Sequence, residues 1–314
     1  MTRDQKIRIA MIICGTVLAC AVIITATGMF SGTSVGGYAN ADKYTAGDTE
    51  ITGKVRNLDI GWVSGKVTVA YHGKDTVDVS ETSGTKLGED QKLRWWLDGD
   101  TLRIRFAKPG IRLSHPNKEL TVALPEGTVP EEIDISVTSA DTEITGLKAK
   151  TLKLGGTSGT FNASAEAEEV TAGTTSGDIN LRLTGKTERI EAAATSGRIR
   201  IEAEKAGEIK AGATSGDIEI SAAESGRTEV DSTSAGATIR LKKLGEVSVS
   251  TVSGTAVLQV PSTPGFRAEV STVSGRTEMK QAVTQQGNTY TCGDGSGKIH
   301  ITTVSGDIRI EEAK

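Results

Sequence analysis

Six threonines, Thr138, Thr157, Thr175, Thr195, Thr214 and Thr233, each stand immediately before a serine that opens a small-residue turn. A threonine hydroxyl both donates and accepts hydrogen bonds. A regularly spaced row of them can dock an ordered polymer such as a glycan. The same residues can instead hold the turn together through local backbone hydrogen bonds, and the sequence leaves both readings open. Trp95 and Trp96 are the second kind of candidate. Neighbours on a strand point to opposite faces, so one indole can lie exposed and stack on a sugar. The alternative is a cap core plus an edge cover.

Catalytic chemistry finds no comparable set. His72, His115 and His300 are far apart, and none has metal-ligand spacing. Cys292 is alone outside an N-terminal apolar stretch, so no intrachain disulfide or redox pair is available to it; it reads as a buried thiol or an intermolecular link. GDGSGK resembles a phosphate loop. The match fails, because Cys292 stands where the first glycine belongs and Ile299 where a magnesium-binding Ser or Thr belongs. Polysaccharide cleavage needs converging carboxylates in a groove, whereas the acidic residues here fall on regular columns beside basic ones. The expectation is a chain that is not an enzyme, with no cofactor and no metal.

The elements that position the threonines are legible as a repeat. The turns Ser139-Ala140, Ser158-Gly159, Ser176-Gly177, Ser196-Gly197, Ser215-Gly216, Ser234-Ala235-Gly236, Ser253-Gly254 and Ser274-Gly275 recur at intervals of 19, 18, 20, 19, 19, 19 and 21 residues. A fixed period near 20 marks a solenoid. Around each turn apolar residues alternate: Val170, Ala172 and Thr174 before one, Ile179, Leu181 and Leu183 after it, with Ile190, Ala192, Ala194, Ile199, Ile201 and Ala203 at the same offsets in the next copy. Period-two alternation on both sides of a turn predicts two strands per coil, each burying one face. The expected fold class is all-β: a single-stranded β-solenoid, β-helix-like, with about 19–20 residues per coil, right-handed as parallel crossovers are. Glycine at the corner is expected for its backbone angles. Outward residues, Asp178, Arg198 and Asp217, then Asn180, Arg200, Glu219 and Arg240, alternate in sign, which predicts an in-register charge ladder with coils about 4.8 Å apart.

The chain opens with basic residues, Arg3, Lys6 and Arg8 against Asp4, followed by an uncharged run from Ile9 to Phe30. As a helix that run spans about 33 Å, enough to cross a bilayer. The flanking charges predict a cytoplasmic N-terminus and an extracytoplasmic remainder. The run is long for a cleaved signal. Val17-Leu18-Ala19-Cys20 loosely resembles a lipobox, but largely apolar residues follow it. Beyond residue 30 there are 33 basic and 39 acidic residues, net −6, and nothing points to nucleic acid.

The expected organisation is a cytoplasmic tail over 1–8, one N-terminal transmembrane helix over 9–30 and a flexible stalk over 31–50. A β module over 51–128 caps the solenoid, and repeats with a C-terminal cap fill 129–314. The cap is expected from Ser296-Gly297 and Ser305-Gly306, only nine residues apart.

The anchor, LDIGWVSGKVTV, LTVALP, the TSGDI repeats and the terminal GSGKI and TVSGDIRI resemble the bacterial putative-adhesin family, β-strand-repeat domains of unknown function that include LiaG-like proteins. The resemblance covers about Thr49 to Glu311. It implies an extracytoplasmic β-solenoid of the cell envelope, associated with envelope stress, and brings no catalytic residues. The function expected is a membrane-anchored, single-pass binding module. Its partners are the membrane, through the N-terminal helix, and a cell-wall polymer or envelope protein. The alternatives are a polysaccharide-active β-helix enzyme and a self-assembling or regulatory partner of another membrane protein.

Overall fold

The computed structural model describes residues 38–110 and 116–313. The expected tail, the span 9–30 with Cys14 and Cys20, and His115 lie outside them. Among the described residues no helix is long and apolar enough to cross a membrane. The chain forms two compact units, whose described parts are 38–183 and 184–313.

The first unit contains β1 (Thr45–Ala46), β2 (Thr49–Ile51), β3 (Asn57–His72), β4 (Val77–Ser83), β5 (Arg94–Asp98), β6 (Thr101–Arg105), β7 (Lys118–Pro125), β8 (Glu132–Ser158) and β9 (Phe161–Thr174). Strand β3 bends at Ser64-Gly65 into two walls. On one side it pairs in parallel with β6 and β7, and on the other with β8. The coil of β3 therefore lies between a coil built by later residues and the first regular repeat. Antiparallel strands finish the outer edges: β5 on β6 with β1 on β5, and β4 on β7 with β2 on β4. Strand β1 and all but the last residue of β2 fall inside the segment expected as a stalk. The described part of that segment is folded because Tyr38 and Tyr44 pack ring to ring at 4.7 Å and Tyr44 meets Trp96 at 5.6 Å.

The walls bury the residues that the alternation selects. Leu152, Leu154, Val170, Ala172, Phe161, Ile179, Leu181 and Leu183 are all at most 2% exposed. Large side chains face small ones: a Cβ on Gly156 would sit 2.8 Å from the Phe161 ring and 2.9 Å from Val137.

Strand β10 (Ile179–Ala194) leads into the second unit, followed by β11 (Ile199–Ala213), β12 (Ile218–Ser232), β13 (Ala237–Lys243), β14 (Glu246–Thr251), β15 (Ala256–Val260), β16 (Gly265–Thr272), β17 (Thr277–Met279), β18 (Thr284–Gln286), β19 (Thr289–Gly293), β20 (Gly297–Thr303) and β21 (Ile308–Glu312). Here β11 and β12 pair in parallel, and the register Ile199↔Ile218 through Ala213↔Ser232 is a shift of one period. Ile199, Ile201, Ile209, Ile218 and Ile220 are fully buried.

The end of this unit departs from the expected C-terminal cap. Strand β20 pairs with β14 on one side and β16 on the other, and β21 pairs with β15 and β17. The last coil in the chain is therefore intercalated between two earlier ones. The coil of β16 and β17 lies outermost, edged by the antiparallel β19 and β18. To leave that gap the chain must climb two layers, about 10 Å, between Val260 and Gly265. The intervening Pro261 to Pro264 span that distance.

The corner glycines also differ from expectation. Gly65 and Gly159 have positive φ, 99° and 109°. Gly177, Gly216, Gly254 and Gly306 do not. There the carbonyl of the adjoining coil occupies the place of a Cβ, 1.8 Å away at Gly177, 1.9 Å at Gly216 and 2.0 Å at Gly254 and Gly306. Close backbone approach, rather than backbone angle, is what demands glycine at these four corners.

Candidate binding face

The corners carry the backbone ladder straight through the turn. In the first unit the Thr175 and Ser176 N–H groups donate to the Gly156 and Thr157 carbonyls at 3.2 and 2.8 Å. In the second unit Ser215 donates to Thr195 at 2.9 Å, and Ser234 to Thr214 at 2.8 Å. Thr138, Thr157 and Thr175 thus form one row, and Thr195, Thr214 and Thr233 another, each stepping by one strand spacing, about 4.8 Å. Thr157 and Thr195 are exposed and the other four half-buried.

The hydroxyls that secure the corner belong to a different column, one residue earlier and buried. Thr174 Oγ1 accepts the Gly177 N–H at 3.0 Å, and Ser232 Oγ donates to the Ala235 carbonyl at 3.0 Å and accepts from the Thr251 hydroxyl at 2.9 Å. Among the described residues none of the six Thr hydroxyls of the outer rows has a hydrogen-bond partner. In the three coils at the end of the second unit the outer position becomes valine, Val252, Val304 and Val273.

The charged columns flank these rows. In the second unit Arg189 and Arg227 both reach Glu208, at 3.3 and 3.8 Å, and Lys210 reaches Glu229 at 3.7 Å. Arg200 and Glu219 are 4.0 Å apart, as the sign alternation predicts. Arg240 is not in their column. Glu219 pairs with Thr238, and Arg240 lies opposite Ser221 and Gln259, because the Ser234-Ala235-Gly236 turn keeps the 19-residue register instead of adding a residue. Asp217 is a register device of another kind: its carboxylate accepts the Gly236 N–H of the next coil at 3.1 Å. Asp141 does the same for Thr160, and Asp307 for Arg276.

Trp95 and Trp96 are half-buried. Trp96 is no free platform, since Lys43 lies 4.8 Å above its ring, Arg103 6.0 Å away and Tyr44 at its edge. His72 bonds the Thr76 carbonyl, and His300 faces Glu269 at 3.7 Å. Cys292 is buried, and burial pushes its thiol up, away from reactivity. No group of three or more metal-ligating side chains occurs among the described residues.

Two features gave no signal in the sequence reading. One is the fully buried Lys118, whose ammonium meets Glu81 at 2.6 Å. The other is a pair of stacked carboxylates, Asp59 opposite Asp134. Arg103 and Arg105 bind Asp59 at 2.5 and 2.8 Å, while Lys153 is taken by Glu132 at 2.6 Å. Asp134 is left half-buried beside a like charge, and burial first, then Asp59, raises its carboxyl to about 6. The folded state thus holds that proton more tightly than the unfolded state, whose value is 3.8. Stability falls as pH rises between these values and stays low above about 6. The gap is worth at most roughly 3 kcal/mol. Asp134→Asn should raise stability at pH 8 and flatten its dependence between pH 4 and 7 in urea titrations. An unchanged slope would show that Asp134 is ionised normally.

The family model described as Toastrack DUF4097 matches residues 117–311. No curated protein matches the chain. Among solved structures, a putative adhesin from Bacteroides fragilis is 13% identical, with 85% of this chain and 97% of that one covered and a TM-score of 0.44. A putative cell adhesion protein from Clostridium sporogenes is 11% identical, with 86% and 100% covered and a TM-score of 0.26.

Proposed function

This chain belongs to the Toastrack family of domains of unknown function, and from that premise we propose that it is an adhesin-like binding module of the bacterial envelope. Residues 9–30 anchor it in the membrane, the described units stand outside, and its partner is a cell-wall polymer or an envelope protein. The proposed link to envelope stress rests on the family resemblance alone. The observation that carries the binding reading is the pair of outer threonine rows. Their backbones are fixed by the corner ladder and their hydroxyls have no hydrogen-bond partner among the described residues. Rigid presentation lowers the ordering cost of docking a polymer with a matching repeat. Pairing of acidic with basic residues along the outer walls supports a binding role over hydrolysis, which needs converging carboxylates. Self-assembly by strand addition is disfavoured by the short edges, two residues in β1 and three in β2 and β18.

The test mixes the full chain in detergent with purified sacculi and follows both co-sedimentation and released reducing sugar. Saturable co-sedimentation without release is expected. Replacing Thr195, Thr214 and Thr233 together by Glu should weaken it at least tenfold with an unchanged melting curve. Binding that survives the triple replacement removes the threonine face from the account, and sugar release overturns the non-enzymic reading.

A further inference from the structure

A groove of about 690 Å³ opens on the outer wall of the second unit, lined among others by Ser221, Arg240, Lys242, Gln259, Lys280 and Glu311. Five of these belong to one column. Ser221, Arg240, Gln259 and Glu311 are successive register partners, and the Lys280 N–H donates to the Ile310 carbonyl beside Glu311. The column is wired by side chains. Arg240 Nε donates to Gln259 Oε1 at 2.7 Å, Gln259 Nε2 to Glu311 Oε1 at 2.6 Å, and Lys280 lies 3.1 Å from Glu311 Oε2. Hydrogen bonds from Gln259 and Lys280 hold the Glu311 carboxyl below its ordinary value, so it stays charged and matched to Lys280. Glu312, the other acid of the lining, accepts the Ser262 hydroxyl at 2.7 Å.

What remains is positive. Arg240 is oriented through Nε alone, and its two terminal nitrogens have no partner among the described residues. Lys242 is exposed and has none either, and the Ser221 hydroxyl is likewise uncommitted. A guanidinium whose plane is fixed at one edge is prepared for two parallel bonds to an oxyanion. An ammonium and a hydroxyl beside it complete the set.

We propose that this groove is an anion-binding subsite, taking the phosphate or carboxylate groups of an acidic envelope polymer. The proposal rests on the binding-module reading and narrows it, because a net-negative chain needs a local cationic site to hold an acidic polymer. Arg240 and Lys242 contact the anion; Gln259 and Glu311 are positioning residues.

The test measures binding of the full chain in detergent to fluorescent poly(glycerol phosphate), polygalacturonate and neutral dextran at two salt concentrations. One acidic polymer, or both, should bind at least tenfold more tightly than dextran, and the bound one identifies the source of the anion. Arg240→Gln and Lys242→Gln should each weaken that binding about fivefold and reduce its salt dependence, leaving the melting curve unchanged. Equal affinity for all three polymers, or wild-type binding by both variants, overturns the subsite. Sacculus binding lost in the threonine triple but kept in these two variants removes the subsite while leaving the module reading in place. Loss of sacculus binding in all of them supports both.

Discussion

Removal of residues 294–314 should unfold the outermost coil of the second unit while leaving its first coils intact. Strand β16 has β20 as its parallel partner over Phe266 to Thr272, and β17 has β21 over Thr277 to Met279. Without them the outer coil keeps only the antiparallel edge of β19 and β18. The lost coil also carries Ile299, Ile301, Ile308 and Ile310, none more than 3% exposed. Truncating one such side chain costs about 2–5 kcal/mol, so losing four with their ladders exceeds what a local region can bear. Hydrogen exchange should show residues 265–293 unprotected in the shortened chain and residues 199–232 protected as before. In the full chain, Ile301→Ala should raise exchange over 265–303 selectively. The competing outcome is collapse of the outer coil directly onto β14 and β15. Retained protection over 266–272 would reveal it and would mean that the intercalated coil is dispensable.

The repeat, its period and its buried columns were legible because period-two alternation survives even where the interior residues are alanine and threonine. Its boundaries were less so. The interval from Ser253 to Ser274 is 21 residues instead of 19, and those two extra residues are the chain's climb over an empty layer. The signal was present, but a longer interval does not say which later segment fills the gap. That is a long-range pairing, decided by Ile299, Ile301, Ile308 and Ile310 matching the phase of Val247, Val249, Ala256 and Leu258. The corner glycines were expected for their backbone angles, whereas at Gly177, Gly216, Gly254, Gly275 and Gly306 the cause is close approach of stacked backbones, which is invisible in one coil. Of the candidate site, the threonine rows were legible and their freedom from local bonding was not. A one-residue offset, Thr174 against Thr175, separates the hydroxyl that holds the corner from the one that faces out. Arg240 was assigned to the wrong column for a similar reason, since a three-residue turn looks like an insertion until the register is seen.

Lys118 illustrates the limit most sharply, and it sets the second expectation: Glu81→Ala should cost about 3–5 kcal/mol. Extending the alternation of Leu120, Val122 and Leu124 back by two places Lys118 on the inward face, a phase that a lysine ordinarily argues against. The structure keeps it there, fully buried. Its ammonium donates to Glu81 Oε2 at 2.6 Å, to the Gln91 carbonyl at 2.8 Å and to the Phe106 carbonyl, and it lies 4.2 Å from the Phe106 ring centre and 4.8 Å from that of Trp62. Glu81 Oε1 accepts the Leu93 N–H at 2.6 Å, and Trp62 donates to the Lys118 carbonyl at 3.3 Å. One ion pair thus joins β4, β7, the end of β6, the β3 corner and the segment leading into β5. Removing the carboxylate strands a buried ammonium, and that loss, more than the attraction itself, carries the cost. The pair need not be a net source of stability, so Glu81→Met with Lys118→Met should recover most of the loss that Glu81→Ala causes. Urea unfolding of the four proteins, single variants Glu81→Ala and Lys118→Met included, separates the two contributions. A loss below about 1 kcal/mol for Glu81→Ala would mean that water reaches Lys118 and that the cap is not held by this pair.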